Sequence, residues 1–160
     1  IASCLVGSEM CIRDRLYTKD RDSIHLSEIK RKEYTLVLRY STQCCSTCVE
    51  DILRKMRKFE EQYPDIDILL FTTYRVQIEK KDFQRICRFF PKVYNVFSLG
   101  IPLDEEVVPY LFVLDRGMRV IDTFIPDKDL PKLTNRYFER ITTTLSRNKA
   151  YNYKYYKKEI

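Results

Sequence analysis

The chain has 160 residues, 44% hydrophobic and 32% charged, which is enough apolar surface for the core of one globular domain and too little for a second full one. Three glycines and six prolines exclude a collagen-like or low-complexity chain, and a mean hydropathy of −0.39, with no apolar run near the ~18 residues of a spanning helix, excludes a transmembrane segment in this sequence. Of the net charge of +6, residues 147–160 supply +4, so the remaining 24 basic and 22 acidic side chains exclude a strongly basic, nucleic-acid-binding body.

Residues 1–15 show no apolar periodicity that continues past Arg15. Ile1-Ala2-Ser3-Cys4 resembles the end of a bacterial lipoprotein signal, and the string from Cys4 to Asp14 resembles translated sequencing-adapter sequence; on the second reading, which we prefer, Cys4 and Cys11 carry no meaning. Residues 1–32 are read as an N-terminal extension, with Ile24, Leu26 and Ile29 suited to a lead-in or short helix. The lone His25 has no second histidine to form a metal site and reads as a surface residue.

Tyr34 to Tyr40 is rich in β-branched and aromatic residues and predicts a strand. After a brief turn, Ile52, Leu53, Met56, Phe59 and Tyr63 recur at spacings of three and four, predicting a helix over Val49 to Tyr63 that Pro64 ends. Ile66 to Thr73 is a continuous apolar run, as in a strand covered on both faces. Ile78 to Phe90 predicts a second amphipathic helix with Phe83, Ile86, Cys87 and Phe90 on one face, which makes Cys87 a core thiol.

Residues 91–107 pass through Pro91, Gly100, Pro102 and three acids without a period. Tyr110 to Leu114 and Met118 to Phe124 flank Asp115-Arg116-Gly117, predicting an antiparallel hairpin whose glycine supplies positive φ. Leu130 to Leu145 predicts a last helix, Pro131 in its first turn and Leu133, Tyr137, Ile141 and Leu145 on one face. Residues 33–146 thus form one α/β domain with a mixed sheet of four to five strands and helices on both faces. The end, 147–160, mixes basic residues with Tyr151, Tyr153, Tyr155 and Tyr156, a pattern of a solvated terminus that can also stack on bases or lie at a lipid interface.

Three of the six cysteines fall within five positions, in Gln43-Cys44-Cys45-Ser46-Thr47-Cys48. Clustering of that kind points to chemistry rather than scaffolding. Cys45 and Cys48 form a C-x-x-C where a strand gives way to a helix, and the unpaired N–H groups and dipole of a helix N-terminus stabilise a thiolate there. Cys48, one turn on, is placed to displace a substrate from a mixed disulfide. Adjacent side chains diverge on a turn, so Cys44 reads as a small buried filler, with an accessory thiol as the other reading.

From these residues the chain resembles the thioredoxin superfamily over about 33 to 145, in the order strand, C-x-x-C helix, strand, helix, proline-led strand, hairpin and helix. The 61 positions from Cys48 to Pro109 resemble the TlpA/ResA-like branch, whose mid-fold insertion would lie within 76–107. The resemblance implies a thiol-disulfide oxidoreductase with a redox-active Cys45–Cys48 pair and no cofactor. It also implies a cis Val108–Pro109 bond, with Val108 and Pro109 binding the substrate backbone. Asp51, three residues beyond the second cysteine, matches a carboxylate common in that branch and reads as a proton acceptor or as a solvated helix residue.

Implied partners are protein thiol or disulfide substrates and a redox partner protein, not nucleic acid. The implied location is the bacterial periplasm or cell envelope, with membrane anchoring in the native form; the cytoplasm is the alternative. The chain departs from thioredoxin itself in lacking its Gly-Pro pair and any acid in the strand Tyr34 to Tyr40. Three other readings stand beside this one. C-x-x-C is half of a zinc site, though the other half is not visible. Thr42-Gln43-Cys44-Cys45 reproduces the T-x-x-C of peroxiredoxins, but Leu38 stands where their proline is expected. The same fold also serves as a redox-inert binding module.

Overall fold

The structure is a computed structural model that describes residues 15–74 except 19 and 21, and residues 79–156, with side chains as far as 145. The readings made for Cys4 and Cys11, and for the side chains of 147–160, lie outside the described residues. The chain divides into two compact units, 1–125 and 126–160.

In the first unit the described strands are β1 (Leu16–Tyr17), β2 (Ser23–Ile24), β3 (Tyr34–Ser41), β4 (Ile66–Thr73), β5 (Val93–Asn95), β6 (Tyr110–Leu114) and β7 (Val120–Phe124). They form one mixed sheet in the order β2-β1-β5-β4-β3-β6-β7. The sequence predicts four to five strands; the additional ones, β1, β2 and β5, have two or three residues each, too few for an alternating pattern to register.

The centre of the sheet follows from composition. β3 and β4 carry buried runs, Leu36-Val37-Leu38 and Ile68-Leu69-Leu70-Phe71, and pair in parallel with Val37 opposite Leu69. Strands buried on both faces need such runs, each large apolar side chain contributing about 1.5–3 kcal/mol on burial.

Parallel pairing demands crossovers, supplied by α1 (Ser46–Gln62) between β3 and β4 and α2 (Lys80–Phe89) between β4 and β5. Because β3, β4 and β5 follow one another in one direction, right-handed connections put both helices on the same face. α1 buries Val49, Ile52, Met56 and Phe59, and its last turn closes with Tyr63 N–H donating to the Phe59 carbonyl at 2.9 Å before Pro64. It starts at Ser46, three residues before the sequence reading, which brings Cys48 into its first turn. Arg57 Nη1 donates to the Phe89 carbonyl at 2.8 Å and ties α1 to the end of α2. α2 fully buries only Phe83, so Cys87 is half-buried rather than a core thiol.

The opposite face of the sheet, with Val37, Leu69, Phe71, Tyr110, Phe112 and Leu114, packs against Leu16, Leu26, Ile29, Val96, Leu99 and Ile101. His25 finds its use here: its Nδ1 accepts from the Ser27 N–H at 3.4 Å and caps the short helical turn Leu26–Glu28.

The β6–β7 hairpin forms as the sequence predicts, with one correction. Positive φ falls on Met118, at 67°, and not on Gly117. Asp115 sets this, its Oδ1 accepting from the Arg119 N–H at 2.9 Å while its own N–H donates to the Arg119 carbonyl at 3.0 Å, so the reversal is placed one residue later. Arg31 holds the Met118 sulfur at 2.8 Å.

In the second unit, α3 runs from Pro131 to Tyr156, eleven residues past the sequence reading. Tyr137, Ile141 and Leu145 are buried as expected, but Leu133 is 44% exposed and Thr134 is buried in its place. No helix among the described residues is long and apolar enough to cross a membrane.

Candidate active site: two thiols in the first turn of a helix

The carboxyl end of β3 and the start of β6 lie side by side because the two strands are antiparallel, with Arg39 opposite Tyr110. The turn after β3 therefore carries the cysteines to the end of the sheet from which Pro109 enters. Cys45 is the residue immediately before α1 and Cys48 the third residue within it. Cys45 is exposed and Cys48 partly so. The first turn of α1 contains no acidic side chain, so nothing in it offsets the pull of the N–H groups on an anion.

Cys44 is 8% exposed and points away from solvent. Its sulfur accepts from the Ser41 N–H at 3.4 Å and its S–H donates to the Val107 carbonyl at 3.6 Å. It therefore bridges the cysteine turn to the loop that leads into Pro109. Asp51 forms an exposed pair with Lys55 at 2.7 Å and approaches Arg54 at 3.9 Å. Val108 is half-buried and Pro109 buried.

The expectation of a cis Val108–Pro109 bond is corrected: among the described residues every peptide bond is trans. An X–Pro bond favours trans by about 0.5–1 kcal/mol unless the chain needs the reversal a cis bond supplies. Two residues before Pro109, Val107 has φ 50°.

A cleft of about 620 Å³ lies between α1 and α2, floored by Tyr40 and Tyr74 and reaching Thr42, Cys44 and Ser46. The Tyr40 and Tyr74 hydroxyls are 3.3 Å apart. Burial, and then Tyr74, push the Tyr40 phenol far above its usual range; burial, and then the Asp104 carboxylate, do the same to Tyr110. Both phenols ionise more easily in the unfolded chain, near pH ~10. Their contribution to stability is thus complete below about pH 10 and is lost as pH rises toward the folded values, by up to ~1.4 kcal/mol per pH unit for each phenol. Urea unfolding at pH 8 to 11 is expected to show this fall, and Tyr40→Phe to make it shallower; an equally steep fall in that variant would contradict the assignment.

Sequence reasoning missed the group beneath Pro109. Arg39, near the carboxyl end of an otherwise apolar strand, donates from Nε to Asp104 Oδ1 at 2.8 Å, with the two side chains 6% and 8% exposed. Tyr110 OH donates to the same oxygen at 2.9 Å. The available signal was a charged residue at an inward position of an otherwise apolar strand. Among the described residues no three His, Cys, Asp or Glu side chains converge to hold a metal ion, which leaves the zinc reading without a ligand set there.

No family model matches the chain, and no curated protein matches its sequence. Solved structures do resemble it. A thiol peroxidase from Chromobacterium violaceum superposes with a TM-score of 0.58 at 13% identity, over 84% of this chain and 83% of that one. A candidate thiol-disulfide oxidoreductase from Bacteroides vulgatus gives 0.54 at 18% identity, over 88% and 94%. A candidate thiol-disulfide isomerase domain from Cytophaga hutchinsonii gives 0.52 at 16%, over 81% and 90%. At these identities the likeness establishes the fold alone: an α/β thioredoxin-like fold, in which α2 and β5 lie between β4 and β6.

Proposed function

We propose that the protein is a thiol-disulfide oxidoreductase working through Cys45 and Cys48. The observation that carries the reading is the placement of an exposed Cys45 immediately before α1, with Cys48 in the first turn of that helix. The Cys45 thiolate attacks one sulfur of a substrate disulfide; a Cys45–substrate bond forms as the substrate S–S bond breaks, and the departing sulfur leaves as a thiolate that takes up a proton. Cys48 then loses its proton and attacks the Cys45 sulfur, releasing the second substrate thiol. The substrate gains two electrons and the pair becomes a disulfide. The reverse sequence oxidises a dithiol substrate.

Substrates on this reading are protein disulfides or dithiols, lying with their backbone beside Val108 above the trans Pro109, and a second redox protein restores the pair. An envelope location, with a native membrane anchor, belongs to the same reading. Its test is Cys48→Ser incubated with a disulfide-bonded protein. A mixed disulfide to Cys45 that persists until dithiothreitol is added is the expected result; failure to trap any adduct at Cys45 contradicts the mechanism.

A second reading, peroxide reduction, is favoured by the overlap with the thiol peroxidase and by Thr42 three residues before Cys45. There the Cys45 thiolate displaces water or an alcohol from a peroxide and becomes a sulfenic acid, which Cys48 resolves. Stoichiometric loss of hydrogen peroxide with the reduced protein, absent in Cys45→Ser, would favour it.

A further inference from the structure

We propose that Asp104, held by Arg39 and Tyr110, is a positioning residue that sets the loop 106–109 against the cysteine turn and so aligns a polypeptide substrate; the substrate part rests on the oxidoreductase reading. Asp104 uses both carboxylate oxygens. Oδ1 accepts from Arg39 Nε at 2.8 Å and Tyr110 OH at 2.9 Å, and Oδ2 accepts from Ser98 Oγ at 3.2 Å and from the Leu99 N–H. Arg39 also donates to Thr73 Oγ1 at 2.7 Å and to the carbonyls of Tyr40 at 3.2 Å and Phe97 at 3.3 Å. One buried ion pair thus joins the ends of β3 and β4, the segment 97–99 and the first residue of β6.

The loop is a short strap between two members of this cluster, Asp104 and Tyr110. In its middle Val107 has φ 50°, a left-handed conformation that is unfavourable for a residue with a branched side chain and lasts only where the surroundings impose it. The same residue's carbonyl accepts the Cys44 S–H at 3.6 Å, which fixes the strap beside the residue preceding Cys45. A buried ion pair is a poor source of stability in itself, since its desolvation offsets most of its attraction. What this pair does supply is a fixed distance and direction at both ends of the strap.

The test uses the full chain with two variants. Tyr110→Phe removes one hydrogen bond from Asp104 and keeps the ring in the core; Asp104→Asn removes the charge and keeps the shape. A hydrogen bond to a buried charge is worth enough for about a tenfold effect. Iodoacetamide labelling of Cys44, located by fragment mass spectrometry, is expected to be about tenfold faster in both variants, with Cys87 labelled at the parental rate. KM for insulin reduction is expected to rise about tenfold with kcat within a factor of about two, while a small disulfide is reduced as by the parent. Labelling that rises equally at Cys44 and Cys87 would show a general loss of stability and overturn the proposal, as would unchanged labelling, or an unchanged KM in variants of an active parent. If the parent reduces neither disulfide, the oxidoreductase reading fails, and the Cys44 to Cys87 labelling ratio alone decides whether Asp104 holds the strap.

Discussion

Replacing Cys45 with serine is expected to lower disulfide reduction on the order of 10³-fold or more, followed as insulin turbidity with dithiothreitol as the electron source and corrected for the uncatalysed rate. Serine keeps the size of the side chain and the helix start, so the fold remains while the nucleophile is lost. A hydroxyl is not ionised near neutral pH, whereas a thiol is a far stronger acid and, as thiolate, the far better nucleophile toward a disulfide. Two controls bracket the effect. Cys44→Ser keeps a donor toward Val107 and Asp51→Asn alters an exposed pair, so each is expected to stay within a factor of about three of the parent. Activity that survives in Cys45→Ser and disappears in Cys44→Ser would move the nucleophile one residue back.

Asp104→Ala is expected to be among the most destabilising single substitutions, at about 3–5 kcal/mol, because it strands the Arg39 guanidinium in a buried site and leaves Tyr110 OH without its acceptor. For a chain of this size that is a fall in Tm of about 10 °C. Thermal unfolding followed by circular dichroism measures it, with Asp51→Ala as the surface comparison, expected to change stability by about 0.5 kcal/mol or less. A loss below about 1 kcal/mol for Asp104→Ala would mean that water reaches Arg39 and that the pair is not a buried clamp.

Much of the frame was legible because it depends on local pattern. The apolar runs of β3 and β4, the three-and-four spacing of Ile52, Met56 and Phe59, and the turn at Asp115 each announce their element, and their order leaves the thioredoxin layout as the natural fit. The placement of Cys45 and Cys48 at the start of α1 follows from the same local reading. What could not be read depends on distance in the chain. Arg39 and Asp104 are 65 residues apart, and Asp104 sits in a stretch without period, so neither residue signals the other. The isomer at Pro109 is similarly opaque, since the same residues suit a cis bond or a trans bond preceded by a left-handed Val107. At the hairpin, glycine suggested its own position, and the hydrogen bonds of Asp115 moved the left-handed residue to Met118.

The most direct measurement is equilibration of the full chain across a series of reduced-to-oxidised glutathione ratios, with acid quenching, alkylation and mass spectrometry of the peptide that spans Cys44 to Cys48. The account predicts an intramolecular Cys45–Cys48 bond that forms and opens reversibly at a potential between about −120 and −270 mV, the span of related dithiols, and that never forms in Cys45→Ser. Cysteines that are alkylated independently at every ratio, or a bond that joins Cys44 to Cys45 or to Cys48 in place of that pair, would contradict it.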